Sequence, residues 1–366
     1  MSPNKRTGRK RDYVGVLSSV FAIVIGLLVG FVILLICNPS QALPGFVTIL
    51  TGAFTHGLKG VGQVFYYATP IILTGLSVGF AFKTGLFNIG TPGQFIVGAF
   101  AAVYVGIMWT GLGRIQWAVA LLAAILGGAL WGMVPGGLQA CFTVYDVIGS
   151  MMMNYIGMYM VNWIVKSYKP LFNNLRNESR NVAATAQIPK RGRDKLFPES
   201  SVGGGILLAV AAVLLIWVIL NKTTFGYELK AVGFNRDAGR YAGINEKRNI
   251  IMSMVIAGAI AGMAGGLLYL AGTGKHIEIK DVLAAEGFTG ISVALLGLSH
   301  PIGVLFSGLF IAYLTAGGFY LQLFEFSTEI IDIIVAVIIY FSAFALIVKT
   351  ILTRMNRKRE KGGGQI

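Results

Sequence analysis

The feature that constrains this chain most is a run of 24 residues, Val14–Cys37, without one charged side chain. A bilayer's hydrocarbon layer demands roughly 20 mostly apolar residues of a helix that crosses it. A cleaved secretion signal has an apolar core of only about 7–15 residues, so 14–37 reads as a helix that stays. Nine further apolar segments follow, at about 61–82, 92–110, 115–140, 145–166, 204–220, 248–271, 287–298, 302–319 and 328–352. Segment 287–298 is too short to span alone and reads as a half-helix or as part of its neighbour around Pro301. Residues 46–58 read as an interfacial helix. Charged residues make up 12% of the chain, against about 25% in soluble domains. The expected fold is therefore an all-α integral membrane protein with about ten transmembrane helices.

The net charge of +15 lies in loops and tails. That pattern fits the excess of Lys and Arg on the cytoplasmic side of membrane proteins better than nucleic-acid binding. Lys5, Arg6, Arg9, Lys10 and Arg11 precede the first segment, and Lys349, Arg354, Arg357, Lys358, Arg359 and Lys361 lie at the other end. Both termini are thus expected in the cytoplasm, which an even number of crossings allows. The chain divides into a basic tail 1–13, a membrane domain 14–352 with an external loop 167–203 and a cytoplasmic segment 221–247, and a basic tail 353–366. The external loop runs against the charge rule, with Lys169, Arg176, Arg180, Lys190, Arg191, Arg193 and Lys195; long translocated loops obey that rule less strictly. Within it, Asn177-Glu178-Ser179 fits a glycosylation sequon, a pattern short enough to arise by chance.

Residues 61–166 and 248–352 each hold four segments, and each half has an early Gly-rich interruption, Gly85–Gly93 and Gly287–Gly303. Interrupted segments at matching places in two repeats mark a transporter's solute site. Polar uncharged side chains collect at these interruptions and nearby: Asn88, Gln94, Gln139, Asn154 and Asn162. Their amides both donate and accept, which suits a neutral polar solute and suits interhelical hydrogen bonds equally well. The carboxylates Asp146, Glu286 and Asp332 fall near segment ends and read as caps or interfacial groups rather than ion-coupling sites. Gly26/Gly30, Gly75/Gly79 and Gly258/Gly262/Gly266 have the spacing that lets helix backbones approach closely.

Chemistry is sparse. No GxxxxGK[ST] phosphate loop occurs; Gly274-Lys275-His276 lacks the earlier glycine and the hydroxyl. Cys37 and Cys141 and the scattered His56, His276 and His300 form no metal or disulfide pattern. No catalytic constellation stands out, so no catalytic residue, metal ligand or resident cofactor is expected.

One polar run interrupts the apolar pattern between 204–220 and 248–271: GYELKAVGFNRDAGRYAGI, Gly226–Ile244. Tyr227–Val232 suits a short helix ending at Gly233. Asn235 is a natural N-cap for a second over Arg236–Ala242, with Gly243 as its stop. This predicts an elbow whose polar groups project from a base of Leu229, Val232 and Tyr241. Connections between helices usually run about 2–8 residues, so an ordered elbow of this length implies docking onto something.

The elbow resembles the coupling segment of ABC importer permeases of the branched-chain amino acid, simple sugar and nucleoside family, with Gly226, Leu229, Lys230, Ala231, Gly233, Asn235 and Ala238 at the pattern positions. Gly85–Gln94 (GLFNIGTPGQ) is similar to the GLFNIGxEGQ stretch of the nucleoside and simple-sugar branch, with Pro92 where that pattern has glutamate. Asp146–Tyr155 resembles its [ED]VIxTxMxNY segment, and Gly287–Gly297 with Pro301 and Gly303 resembles its C-terminal signature. The likeness extends over about residues 60–345. It implies a type II ABC importer permease with two internal repeats in a bacterial cytoplasmic membrane. It also implies a second homologous permease in a heterodimer, a cytoplasmic ABC ATPase that carries the ATP and Mg, and an extracellular lipoprotein or periplasmic solute-binding protein. On that reading Glu228, Lys230, Asn235, Arg236 and Arg240 couple to the ATPase, and Asn88, Gln94, Asn154 and Gln139 line the solute path. Nucleosides are the expected solute and a ribose-like sugar the alternative. An ion-coupled secondary transporter or a facilitative channel is the reading from another class.

Overall fold

The structure is a computed structural model that describes residues 5–343 apart from 56, 143, 191–196 and 198–199. Its helices are α1 (Lys5–Cys37), α2 (Ala42–Thr55), α3 (Gly57–Lys83), α4 (Thr91–Met108), α5 (Gln116–Phe142), α6 (Asp146–Ser167) and α7 (Gly205–Lys222). After these come α8 (Thr224–Phe234), α9 (Arg236–Tyr241), α10 (Glu246–Tyr269), α11 (Ala285–Leu296), α12 (Pro301–Phe319) and α13 (Thr328–Ala343). Each of the ten expected segments is a helix over its described residues; the tail 353–366 lies outside them. By length and apolar content, six helical stretches among the described residues suffice to cross a membrane: Gly57–Lys83, Thr91–Met108, Thr110–Phe142, Gly205–Lys222, Glu246–Tyr269 and Pro301–Phe324. Of the other expected segments, 328–352 is described only as far as Ala343, and 287–298 is short, as expected. The 22-residue α6 carries Asn154, Asn162 and the tyrosines Tyr155 and Tyr159, and α11 has only 12 residues.

The core forms around α3, α4, α5 and α10, joined by bare backbone. Along α5, Ala124, Gly128, Gly132 and Gly136 recur every fourth residue and face Gly258, Gly262 and Met254 of α10. A Cβ at Gly128 would run into the carbonyl of Gly258, and one at Gly262 into that of Ala124. In lipid the hydrophobic effect does not drive helices together, so this close van der Waals contact supplies the attraction. Gly98 of α4 meets Gly262 from the other side. Gly75 and Gly79 of α3 admit Val293, Ala294 and Val304 of α11 and α12. The small-residue spacing thus does the packing expected of it.

Of residues 46–58, 46–55 belong to α2, and Gly57 and Leu58 open α3; α2 is not merely interfacial. Ile49 and Gly52 pack against Gly317 and Tyr320, while Leu43 and Phe54 stay exposed. Beyond α6, two-residue strands β1 (Phe172–Asn173) and β2 (Glu178–Ser179) pair antiparallel. This hairpin is stitched to the segment after α10: the amide of Ser179 donates to Ile277 O (2.9 Å), and the amide of Ile279 to Asn177 O (3.2 Å). Ser179 is buried and its Oγ accepts from the Ile277 amide, so the sequon's hydroxyl is already engaged. Arg191, Arg193 and Lys195 lie outside the described residues.

Candidate functional site

Both expected interruptions are real breaks in helices. The first follows α3: Gly85 takes φ +77°, and α4 restarts with Pro92 in its first turn. The second follows α11: Leu298 and Ser299 take φ +54° and +53°, and α12 starts at Pro301. Left-handed backbone at a non-glycine costs about 1–2 kcal/mol per residue. The second break therefore needs support, and Ser307 Oγ supplies part of it by donating to Val293 O (2.8 Å).

Side-chain amides hold the first break. Asn88 Nδ2 donates to Gln94 Oε1 (2.9 Å), Gln94 Nε2 returns a bond to Asn88 Oδ1 (3.3 Å), and the Gly90 amide also donates to Asn88 Oδ1 (3.1 Å). The N-cap of α4 is Gly90, which has no side chain to cap with. Asn154 replaces it from another helix: its Oδ1 accepts from the Gly93 amide (2.8 Å) and its Nδ2 donates to Ile89 O (2.9 Å). An orphan amide of the first helical turn is thereby satisfied. Asn88, Gln94 and Asn154, all buried, are brought together and turned onto each other and the backbone. Gln139 is not part of this group; it is buried on α5 and its Oε1 has no hydrogen-bond partner among the described residues. Asp146, in the first turn of α6, accepts from the Phe87 amide (2.7 Å) and so braces the first break from α6, rather than capping a helix.

A cavity of about 290 Å³ opens at the end of the bundle opposite the elbow. Pro92 and Ile96 of α4, Met158 and Asn162 of α6, and Tyr269 of α10 form its floor and walls; Lys275, His276 and Glu286 form its rim. Lys275 Nζ pairs with Glu286 at 3.0 Å and ties the loop after α10 to the first turn of α11. Asn162 Nδ2 donates to Lys280 O (2.9 Å). Sequence reasoning had singled out Asn162 and Glu286 but missed Tyr269 and the rim as a group, because only the fold of 270–284 back over α4 and α6 assembles them.

The elbow is as ordered as its caps require. Thr223 Oγ1 accepts from the Gly226 amide (3.0 Å) and caps α8; Asn235 Oδ1 accepts from the Ala238 amide (3.0 Å) and caps α9. Gly243, at φ +79°, ends it. Leu229 and Val232 are buried. Tyr241, expected beside them, is instead 94% exposed: α9 is a six-residue helix with room to bury little beyond Gly239, which packs on Val232. Phe234 and Tyr227 are exposed with it, as are Asn235, Arg236 and Arg240, while Glu228 and Lys230 are half-buried. Gly233 seats the elbow on the membrane domain: a Cβ there would fall 2.5 Å from the backbone carbon of Thr84, and one at Gly85 2.5 Å from Gly233 Cα. The elbow therefore bears directly on the backbone where the first break begins.

Residues 60–343 match the family described as "Branched-chain amino acid transport system / permease component". The guanosine ABC transporter permease protein NupP of Bacillus subtilis is 37% identical over 93% of this chain and 96% of its own length. The nucleoside ABC transporter permease protein NupB of Lactococcus lactis is 33% identical over 93% of each chain. The glucose ABC transporter permease protein TsgB13 of Haloferax volcanii is 31% identical over 81% of this chain and 78% of its own. The first two organisms each hold a second, more distant relative, NupQ at 28% and NupC at 26% identity. No solved structure matches the chain. With the family pattern spanning both breaks and the elbow, the chain belongs to the branched-chain amino acid transport system permease family and is a multi-pass, all-α ABC transporter permease.

Proposed function

We propose that this permease carries nucleosides inward as half of a heterodimer, driven by ATP hydrolysed on a separate subunit. The observation that carries the coupling is the elbow: a capped, exposed surface whose Gly233 rests on the backbone at Thr84 and Gly85. A push on α8 and α9 would reach the first break without passing through flexible side chains. Arg236 and Arg240 lie one turn apart and can meet acidic groups on an ATPase; Glu228, Lys230 and the Asn235 cap complete the surface. ATP and Mg belong to that ATPase, since the chain has no phosphate loop. The heterodimer reading is supported by Bacillus subtilis and Lactococcus lactis each holding two different relatives of this chain with matching printed descriptions, NupP and NupQ, and NupB and NupC. Both termini and the elbow then face the cytoplasm. The hairpin, the cavity and loop 167–203 face outward, toward a lipoprotein or periplasmic binding protein. Asn88, Gln94 and Asn154 serve the path by fixing the break beside Pro92, and Gln139 offers its free acceptor on α5.

The test is uptake of radiolabelled guanosine into proteoliposomes holding both permeases, with and without the ATPase. Accumulation that requires the ATPase and ATP, and that excess glucose leaves unchanged, is the expected result. Equilibration without the ATPase would make this a facilitative channel, and competition by glucose would make it a sugar permease.

A further inference from the structure

One line of side chains on α6 is not explained by the first break and extends beyond the cavity. Met151, Tyr155, Met158 and Asn162 follow a four-three-four spacing, so at 3.6 residues per turn they keep within about 60° of one another and climb about 16 Å. Met158 and Asn162 line the cavity. Met151 and Tyr155 continue the same line toward the elbow end and are 45% and 47% exposed.

Depth makes this exposure informative. Tyr155 follows Asn154, which is fixed on Gly93 and Ile89 at the start of α4. Because Gly98 of α4 meets Gly262 of α10, that start is level with the middle of the spanning helix Glu246–Tyr269. The Tyr155 hydroxyl therefore lies near mid-bilayer, where hydrocarbon offers it no hydrogen bond. α6 is also absent from the six stretches apolar enough to cross on their own account. The neighbouring line runs Met152, Ile156, Tyr159 and Trp163 and is exposed throughout; at the depth of Tyr155 its Met152 and Ile156 carry no polar group and suit lipid or a second permease, and its aromatic groups come only toward the far end of α6.

We infer that the Met151–Tyr155–Met158–Asn162 line is the wall along which a flat heteroaromatic solute passes from the cavity toward the elbow end. This rests on the nucleoside reading above and adds the residues that would recognise the base. Phenol and thioether groups present polarisable faces to an aromatic ring, and Asn162 adds an amide at the cavity. A single aromatic face grips any base loosely, which suits transit.

The test uses the complete importer in proteoliposomes, with Cys37→Ser and Cys141→Ser removing the native thiols. Met151→Cys, Tyr155→Cys, Met158→Cys and Asn162→Cys are compared, one at a time, with Ile156→Cys for reaction with a membrane-impermeant cationic thiol reagent. The expected result is faster labelling along the line than at Ile156→Cys, slowed by guanosine during turnover. Labelling no faster than at Ile156→Cys, or labelling that guanosine leaves unchanged, overturns the inference. As a second arm, Tyr155→Phe should keep guanosine uptake, while Tyr155→Leu should lower it about tenfold, the factor expected for one lost base–aromatic stack. ATP hydrolysis stimulated by the binding protein should persist in both. Equal, undiminished uptake in the two variants also overturns the inference. If the unmutated importer moves no guanosine, the nucleoside reading falls instead, whereas an unreactive line in an importer that does move guanosine sinks this inference alone.

Discussion

Replacing Asn154 by alanine removes both ends of the brace that α6 throws across the first break. The Gly93 amide loses its acceptor and the Ile89 carbonyl its donor. Water cannot readily stand in, because Asn154 is fully buried and a Cβ on Gly93 would lie 2.8 Å from Asn154 Cα. A buried group left unpaired costs about 1–3 kcal/mol, so the two together cost about 2–6 kcal/mol. That is a large share of the roughly 5–15 kcal/mol that holds a typical fold. At about 2–4 °C per kcal/mol, the thermal midpoint of purified Asn154→Ala in detergent should fall by about 5 °C or more. Guanosine uptake should fall with it, because the break that the elbow bears on is no longer fixed. Asn162→Ala is the control: it loses one bond, to Lys280 O at the cavity, where water can replace the amide, so its midpoint should fall by far less. An Asn154→Ala midpoint within about 1 °C of the unmutated protein would refute the account of the break as a structure that depends on the satisfied Gly93 amide.

Other outcomes follow from the same contacts. Gly233→Ala should leave the permease folded but lower uptake and solute-stimulated ATP hydrolysis together, since the added carbon meets backbone that cannot rotate away; overpacking of this kind costs about 1–3 kcal/mol. The triple change Asn235→Ala, Arg236→Ala and Arg240→Ala should weaken the same coupling by loosening α9, by about 0.5–2 kcal/mol for the cap, and by removing both guanidiniums; unchanged coupling argues against the elbow as the ATPase contact. Gly262→Leu should abolish assembly of α5 on α10, visible as loss of monodisperse protein on size-exclusion chromatography. Gln139→Leu should raise the thermal midpoint, because it deletes a buried acceptor with no partner among the described residues; a lower midpoint would mean that the amide is engaged.

What the sequence made legible is what short-range chemistry decides. Apolar runs long enough for a bilayer became helices close to the expected ends, and Pro92 and Pro301 marked the restarts after both breaks. Asn235 and Gly243 could be assigned because a cap and a stop involve neighbours within a turn. The ladder Gly258–Gly262–Gly266 was equally visible by spacing, yet its pairing with Ala124, Gly128 and Gly132 joins helices far apart in sequence. The amides show the limit most clearly. Asn88, Gln94 and Asn154 were recognisable as polar groups at an interruption, but an amide serves a solute or a backbone with the same atoms. What decides is whether Asn154 reaches Gly93, 61 residues away, and no local pattern encodes that. Tyr241 failed for the reverse reason: α9 is too short to have a buried face of its own, so the seat offered by Gly85 and Thr84 to Gly233 fixes which elbow residues are covered. The exposed aromatics Tyr227, Phe234 and Tyr241 then become part of the surface left for a partner. Composition along α6 carried a further signal: the amides and tyrosines that hold it below the hydropathy of its neighbours mark a helix that cannot be enclosed by lipid on every side.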